Sequence, residues 1–200
     1  TLGFTLADGL TSADFSAIYD GEEYQVSANG TLKLTSAEYG AEIELISDEF
    51  GFSENPVIIS EENEIKTVTV YKKYTVNGVV NCGNEAIEDA GVYSDGNLVA
   101  TTDADGKFTI EGLFGENKLL IKKDGNAEEE ISANKDNTDF TVNLKKYVTG
   151  VVTTDGLKAE DLAIKLVPCN GETEPQIVKT DKNGRYKILA ENGDTIEVSD

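Results

Sequence analysis

The stretch VATTDADGKFTI, Val99 to Ile110, sets two apolar runs around an Asp-Gly pair, and echoes of it stand at Val26 (VSANGTLKL) and Val178 (VKTDKNGRYKI). Asp-Gly or Asn-Gly between alternating runs is a strong turn signal, because both residues tolerate the positive backbone dihedrals that a tight hairpin between right-twisted strands favours. The spacing predicts hairpins at Asp105-Gly106, Asn29-Gly30 and Asn183-Gly184.

The echoes belong to a longer repeat. LGFTLADGLTSADFSAIYDG from Leu2, VNGVVNCGNEAIEDAGVYSDG from Val76 and VTGVVTTDGLKAEDLAIKL from Val148 align through Gly3, Gly78 and Gly150, and Asp14, Asp89 and Asp161 then fall into step. Self-similarity of this kind marks one structural unit used repeatedly. The first two copies close alike, EIKTVTVYKKY ending at Tyr74 and TDFTVNLKKY ending at Tyr147, which places the joints at KKY. The chain therefore divides into residues 1–73, 74–146 and 147–200, each a β-sandwich copy.

Within a copy the period is two: KFTIEGL and DFTVNLK alternate apolar with polar residues, as half-buried antiparallel strands require. Further turn pairs at Asp20-Gly21, Asp95-Gly96 and Asp155-Gly156 punctuate the runs, and no segment carries a helical stripe. The expectation is an all-β chain of tandem sandwiches with about seven strands per full copy, as in immunoglobulin-like folds. The third copy stops soon after a strand near Thr195 and lacks what would be its last two strands. A cut chain, a shortened variant, or a strand given by another molecule would each account for that, since exposed edges invite pairing.

Charge narrows the partners. Lys plus Arg is 17 against 38 for Asp plus Glu, a net charge of −21 that repels nucleic-acid backbones and anionic membrane surfaces. No stretch is long and apolar enough to cross a bilayer, and TLGFTLADG at the start does not read as a signal peptide, so any export signal has been removed or lies upstream. The acidic run Glu128, Glu129, Glu130 and the pair Glu61, Glu62 read as solvated faces.

The middle pattern, GVV…G…EDAGVYSDGNLVATTDADGKFTIEGLFGENKLLIKKDG between Gly78 and Gly125, resembles the carboxypeptidase regulatory-like domain. That family has a transthyretin-like sandwich of seven strands and is allied to the B-type repeats of collagen adhesins. The resemblance implies tandem modules of an exported bacterial surface protein, acting as stalk, spacer or adhesin segment beside neighbouring domains of the same protein. It does not imply catalysis. Two other roles stay open: an extracellular binding module for glycan, calcium or a host protein, and a fibre subunit completed by strand exchange.

Residues that could carry chemistry are few. A serine or cysteine nucleophile normally needs a base, most often His, and the chain has none, so no catalytic residue and no cofactor are expected. Calcium needs only oxygens, and Asp103 and Asp105 beside Gly106 are the candidates; the turn reading is favoured because no acid closes the loop as in an EF-hand. With no Trp, sugar-facing aromatics reduce to Tyr24, Tyr39 and Phe52, expected exposed, whereas Phe108, Phe140 and Tyr186 fall on apolar faces.

The adhesin resemblance also raises a Lys–Asn amide bond from Lys72 or Lys73 to Asn143 with Glu111 assisting. Alternation in DFTVNLK turns Asn143 outward and argues against that bond. Cys82 and Cys169 have no cysteine counterparts in the other copies. Strand counting places Cys82 in a loop at the outgoing end of the second copy and Cys169 at the incoming end of the third. An interdomain disulfide is expected if their Cα atoms come within roughly 7 Å.

Overall fold

A computed structural model describes residues 1–200 except 8, 12, 28–30, 35–37, 61–65, 170–173 and 200. The Asn29-Gly30 turn and the Glu61, Glu62 pair lie outside the described residues. All regular elements among the described residues are strands. They form two compact units, one of Thr1–Val76 with Ile110–Asn117 and Ser132–Thr138, the other of Asn77–Thr109, Lys118–Ile131 and Asp139–Asp200.

In the first unit, β1 (Leu2–Leu6), β2 (Asp14–Tyr19), β3 (Glu22–Ser27), β4 (Thr31–Leu32), β5 (Glu42–Ile46), β6 (Phe50–Phe52), β7 (Val57–Ile58) and β8 (Lys66–Lys72) make two sheets. Their orders are β4-β1-β8-β6 and β3-β2-β5-β7. Alternation fixes the faces: Ile43 and Leu45 of β5 are buried while Glu42 and Glu44 are exposed, and Val68 and Val70 of β8 are wholly buried. These residues share one core with Leu2, Phe15, Ala17 and Val57. Phe15 receives Phe4 and Phe52 edge-on, at ring separations of 4.8 and 5.0 Å, the arrangement the aromatic quadrupole favours. First and last strands are parallel neighbours, from Leu2 opposite Lys66 to Leu6 opposite Val70.

Within residues 74–146, read from the sequence as the second copy, β9 (Tyr74–Cys82) pairs with β10 (Glu85–Ala86) and β13 (Lys107–Leu113), and with β16 (Asp139–Asn143), which runs parallel to it. A second sheet is ordered β12-β11-β14-β15, from β11 (Gly91–Ser94), β12 (Asn97–Thr101), β14 (Asn117–Lys122) and β15 (Glu129–Ala133). The part of the chain read from the sequence as the third copy holds β17 (Lys146–Val151, beginning one residue before its expected bound), β18 (Thr153–Thr154), β19 (Leu157–Lys158), β20 (Ala163–Val167), β21 (Gln176–Lys179), β22 (Arg185–Ala190) and β23 (Thr195–Ser199). Its sheets are β17-β22 and β21-β20-β23, with β18-β19 as a small hairpin.

Three Asp-Gly pairs form the hairpins expected of them: Asp20-Gly21, Asp95-Gly96 and Asp155-Gly156 join β2 to β3, β11 to β12 and β18 to β19, each with positive φ at both residues. The opening stretch does not. β12 and β13 belong to different sheets, so TTDADGK arches from one to the other, and only Gly106, not Asp105, has positive φ. Asn183-Gly184 makes the same arch from β21 to β22.

The glycine alignment needs a second correction. Leu2, buried and opposite Leu32, occupies the inward position in β1, whereas in β9 that position is the buried Gly78 beside Phe108. Gly3 is therefore one residue out of step, and in a strand one residue means the other face.

Candidate functional site

The arches show where the candidate calcium ligands went. Asp103 Oδ1 accepts the Asp105 and Lys107 N–H groups at 2.9 and 2.8 Å, and Asp181 Oδ1 accepts those of Asn183 and Arg185 at 2.7 and 2.9 Å. Asp105 is exposed, with Lys107 Nζ at 3.4 Å. Among the described residues no group of three or more His, Cys, Asp or Glu is gathered in a way that could hold a metal.

Beneath each aspartate a threonine is buried. Thr102 Oγ1 accepts from Ala90 N at 2.8 Å and donates to Ile87 O at 2.7 Å, and Thr180 Oγ1 accepts from Leu162 N and donates to Ala159 O at 3.0 and 2.7 Å. The recurring Thr-Asp-x-Asp/Asn-Gly-Lys/Arg is thus a fastening of the arch. The signal lay in Thr102-Asp103 and Thr180-Asp181, three residues before the Asp-Gly and Asn-Gly pairs.

The Arg185 and Asn183 backbone donors hold the Asp181 carboxyl below its ordinary value. A carboxylate whose folded pKa is lowered stabilises the fold fully above its unfolded pKa and loses that contribution as pH falls through the folded value. Urea titrations from about pH 5 to about pH 2 are therefore expected to show a smaller acid-dependent loss in the third copy for Asp181→Asn, which keeps an acceptor oxygen but cannot titrate.

Both cysteines are free thiols in this structure: Cys82 is wholly buried on the inward face of β9, and Cys169 is exposed. They do approach a common place. A Cβ on Gly83 would lie 2.8 Å from Asn192 O, and Cys169 Sγ lies 3.9 Å from the same oxygen. Asp194 holds that loop, accepting from Cys169 N at 3.0 Å and Glu191 N at 2.8 Å.

Of the three aromatics, only Tyr39 is largely exposed, at 68%. Phe52 corrects the expectation: it sits opposite Val70, 7% exposed, because its ring completes the Phe15 cluster. Tyr24 packs partly on that core and donates to Glu22 Oε2 at 3.0 Å, a bond that raises its pKa. Asn143 is exposed between buried Val142 and Leu144 and accepts the Gly83 N–H at 2.8 Å, while Lys73 Nζ donates to Ser47 O at 2.8 Å. Glu128 and Glu130 are exposed and pair with Lys122 and Lys118.

The joints are the most elaborated places. A single residue, Lys73, separates β8 from β9, and its N–H donates to Glu49 O at 2.8 Å. The Tyr74 hydroxyl lies 3.0 Å from Gly115 O and 3.1 Å from Ala133 O as donor, and accepts Asn117 Nδ2 at 2.8 Å. The Phe114 ring covers Gly51 so closely that a Cβ there would be 2.2 Å from it, and lies 6.0 Å from the Tyr71 ring. At the next joint Tyr147 is 43% exposed, with Lys187 Nζ 3.6 Å from its ring centroid, and its N–H donates to Gly125 O at 2.9 Å. Asn126 Nδ2 donates to Leu144 O at 3.0 Å, and Lys145 lies 3.9 Å from Glu191. Sequence reasoning missed the Asn117, Gly115 and Ala133 partners of Tyr74, which come from turns and strand ends far along the chain.

No family model matches the chain, and no curated protein matches it. Among solved structures it is similar to the Bacillus anthracis TIE protein, with 16% identity and a TM-score of 0.33, covering 99% of this chain and 44% of that one. It is similar also to a DUF3823 family protein from Bacteroides ovatus, with 12% identity and a TM-score of 0.31 over 64% of this chain and 80% of that one. A Streptococcal ancillary pilin aligns at 10% identity and a TM-score of 0.27, over 100% of this chain and 94% of that one. The chain spans less than half of the TIE protein, and none of the three shares enough sequence to lend it a function.

Proposed function

We propose that the chain is a structural segment, a stalk or spacer, of an exported bacterial surface protein, and that its role is mechanical rather than catalytic. The observation that carries this reading is the first joint. A flexible linker would be several residues of Gly, Ser or polar chain. Here one residue intervenes, and Tyr74, Asn117 and Phe114 fasten both of its sides. Ordering those side chains costs conformational entropy, which is a sensible investment only if angular freedom at the joint is unwanted.

The test is backbone ¹⁵N relaxation on the intact chain. The first copy and residues 110–117 are expected to share one rotational correlation time, and Tyr74→Phe combined with Phe114→Ala to separate them while each copy stays folded. Tyr74→Phe alone removes the hydroxyl proton shared by Gly115 O and Ala133 O and leaves Asn117 Nδ2 only its bond to Phe114 O, at a stability cost of about 1 kcal/mol. Independent tumbling already in the unsubstituted chain would sink the spacer reading.

A further inference from the structure

Strands β2, β11 and β20 correspond. Asp20-Gly21 and Asp95-Gly96 make the same hairpin after β2 and β11, and Thr102 and Thr180 take the Ala90 and Leu162 amides just before β11 and β20. Buried Ala17, Val92 and Ile164 therefore occupy one position, and the residues on either side of each face outward. Those outward pairs are Ser16 and Ile18, Gly91 and Tyr93, and Ala163 and Lys165.

Two of these outer faces are closed by their own polar contacts. Ser16 Oγ donates to Glu23 Oε1 at 2.5 Å and accepts Gln25 Nε2 at 2.8 Å, and Lys165 Nζ lies 3.4 Å from Glu197. The face of β11 is built differently. Tyr93 leans across Gly91, so that a Cβ on the glycine would lie 2.7 Å from the ring and 3.1 Å from Leu98 Cδ1. A bulge in the β11–β12 pairing sets Tyr93 opposite Leu98 and brings both Leu98 and Val99 to the surface, 57% and 39% exposed. A groove of about 500 Å³ opens there, lined among others by Asp89, Tyr93, Leu98, Lys122 and Asp124.

The charges of the groove select its ligand. Lys122 Nζ lies 5.7 Å from the Tyr93 ring centroid and 3.1 Å from Glu128, so the cation beside the ring is the chain's own, which disfavours a cationic ligand. The Asp89 and Asp124 carboxylates are exposed and make no hydrogen bond or ion pair among the described residues, which disfavours an anionic one. A neutral ligand fits if its groups can donate to the carboxylates and accept from Lys122, around an apolar face that rests on a tyrosine. The hydroxyls of a pyranose do both, and its axial C–H bonds supply the face.

We propose that the outer face of β11 binds a neutral sugar chain, made of β-linked pyranoses with equatorial hydroxyls, stacked on Tyr93 beside Leu98. Equatorial hydroxyls leave the ring faces apolar and point to the rim, where Asp89, Asp124 and Lys122 can meet them. The segment would then bind as well as space, and neither role depends on the other.

The probe is cellotetraose, titrated into the ¹⁵N-labelled 200-residue chain. Amide shifts are expected at residues 91–93, 98–101 and 122–126, saturating with a Kd of about 1 mM, since an open groove buries little of its ligand. Tyr93→Leu, apolar but not flat, should weaken binding about three- to tenfold, whereas Tyr93→Phe should stay within about twofold. Asp124→Asn should weaken it about two- to fivefold, and as an exposed substitution it carries the test even if Tyr93→Leu unfolds. The proposal is overturned if cellotetraose at about 20 mM moves none of these amides. It is overturned also if the shifts fall elsewhere, around Tyr39 for instance, or if a folded Tyr93→Leu binds as tightly as the unsubstituted chain. Stronger shifts of the same amides by tetralysine, or by the C6-carboxylate counterpart of cellotetraose, would overturn it equally, making the ligand an ion.

Discussion

Gly106→Ala is expected to destabilise the second copy by about 3 kcal/mol, with the loss read as an earlier urea midpoint at unchanged slope. Two effects add. Gly106 has φ +73°, and holding an L-residue in the left-handed region costs roughly 1–2 kcal/mol. In addition, a Cβ would lie 2.4 Å from Val80 O, a backbone atom that cannot rotate aside. That carbonyl accepts the Ile87 N–H at 2.9 Å, and Val80 N donates to Gly106 O at 2.8 Å, so relief of the clash breaks bonds on both sides. Gly184→Ala meets the same 2.4 Å contact with Val152 O and should act on the third copy alone. An unchanged midpoint for both variants would mean that the arches do not press on the first strands as described.

Thr102→Val should cost about 2–4 kcal/mol, although the two side chains have nearly the same shape. The residue is 3% exposed, and its hydroxyl serves two backbone groups at once, the Ala90 N–H and the Ile87 carbonyl. Valine satisfies neither, and a buried polar group without a partner pays its full desolvation cost. Thr102→Ser keeps both bonds and loses only a methyl, about 1 kcal/mol. The ordering of the two variants in denaturant titration is therefore the informative result. If Ser proved as costly as Val, packing of the methyl and not the hydroxyl would be fastening the arch.

These residues also show what a sequence can and cannot disclose about this fold. Alternation is local, and it correctly turned Asn143 outward between Val142 and Leu144. Asp95-Gly96 and Asp155-Gly156 are likewise local: two residues, both in the left-handed region, and the hairpin follows. The arch at Asp105-Gly106 uses the same letters for another purpose, because Asp103 supplies acceptors that a hairpin ladder would otherwise provide. Which sheet receives the next strand is decided by tertiary pairing, to which the dipeptide is blind. Phe52 failed for a similar reason. Phe50, Gly51 and Phe52 are all buried, since Phe114 covers the face that a simple strand would leave to water. The two tyrosines of the KKY runs behave differently, one fastened by three polar partners and the other half-exposed beneath a lysine.

The parallel pairing of β1 with β8 bears on how the first copy would respond to tension. Its two ends are carried by adjacent strands that run the same way, in register over Leu2–Lys66 to Leu6–Val70. A pull on those ends draws the strands past each other lengthwise, so the evenly spaced bonds between them are loaded together and must break together. An antiparallel terminal pair pulled from one end would instead open one bond at a time, like a zip. The same geometry recurs in β9 and β16, so the first two copies would yield as discrete, high-force steps.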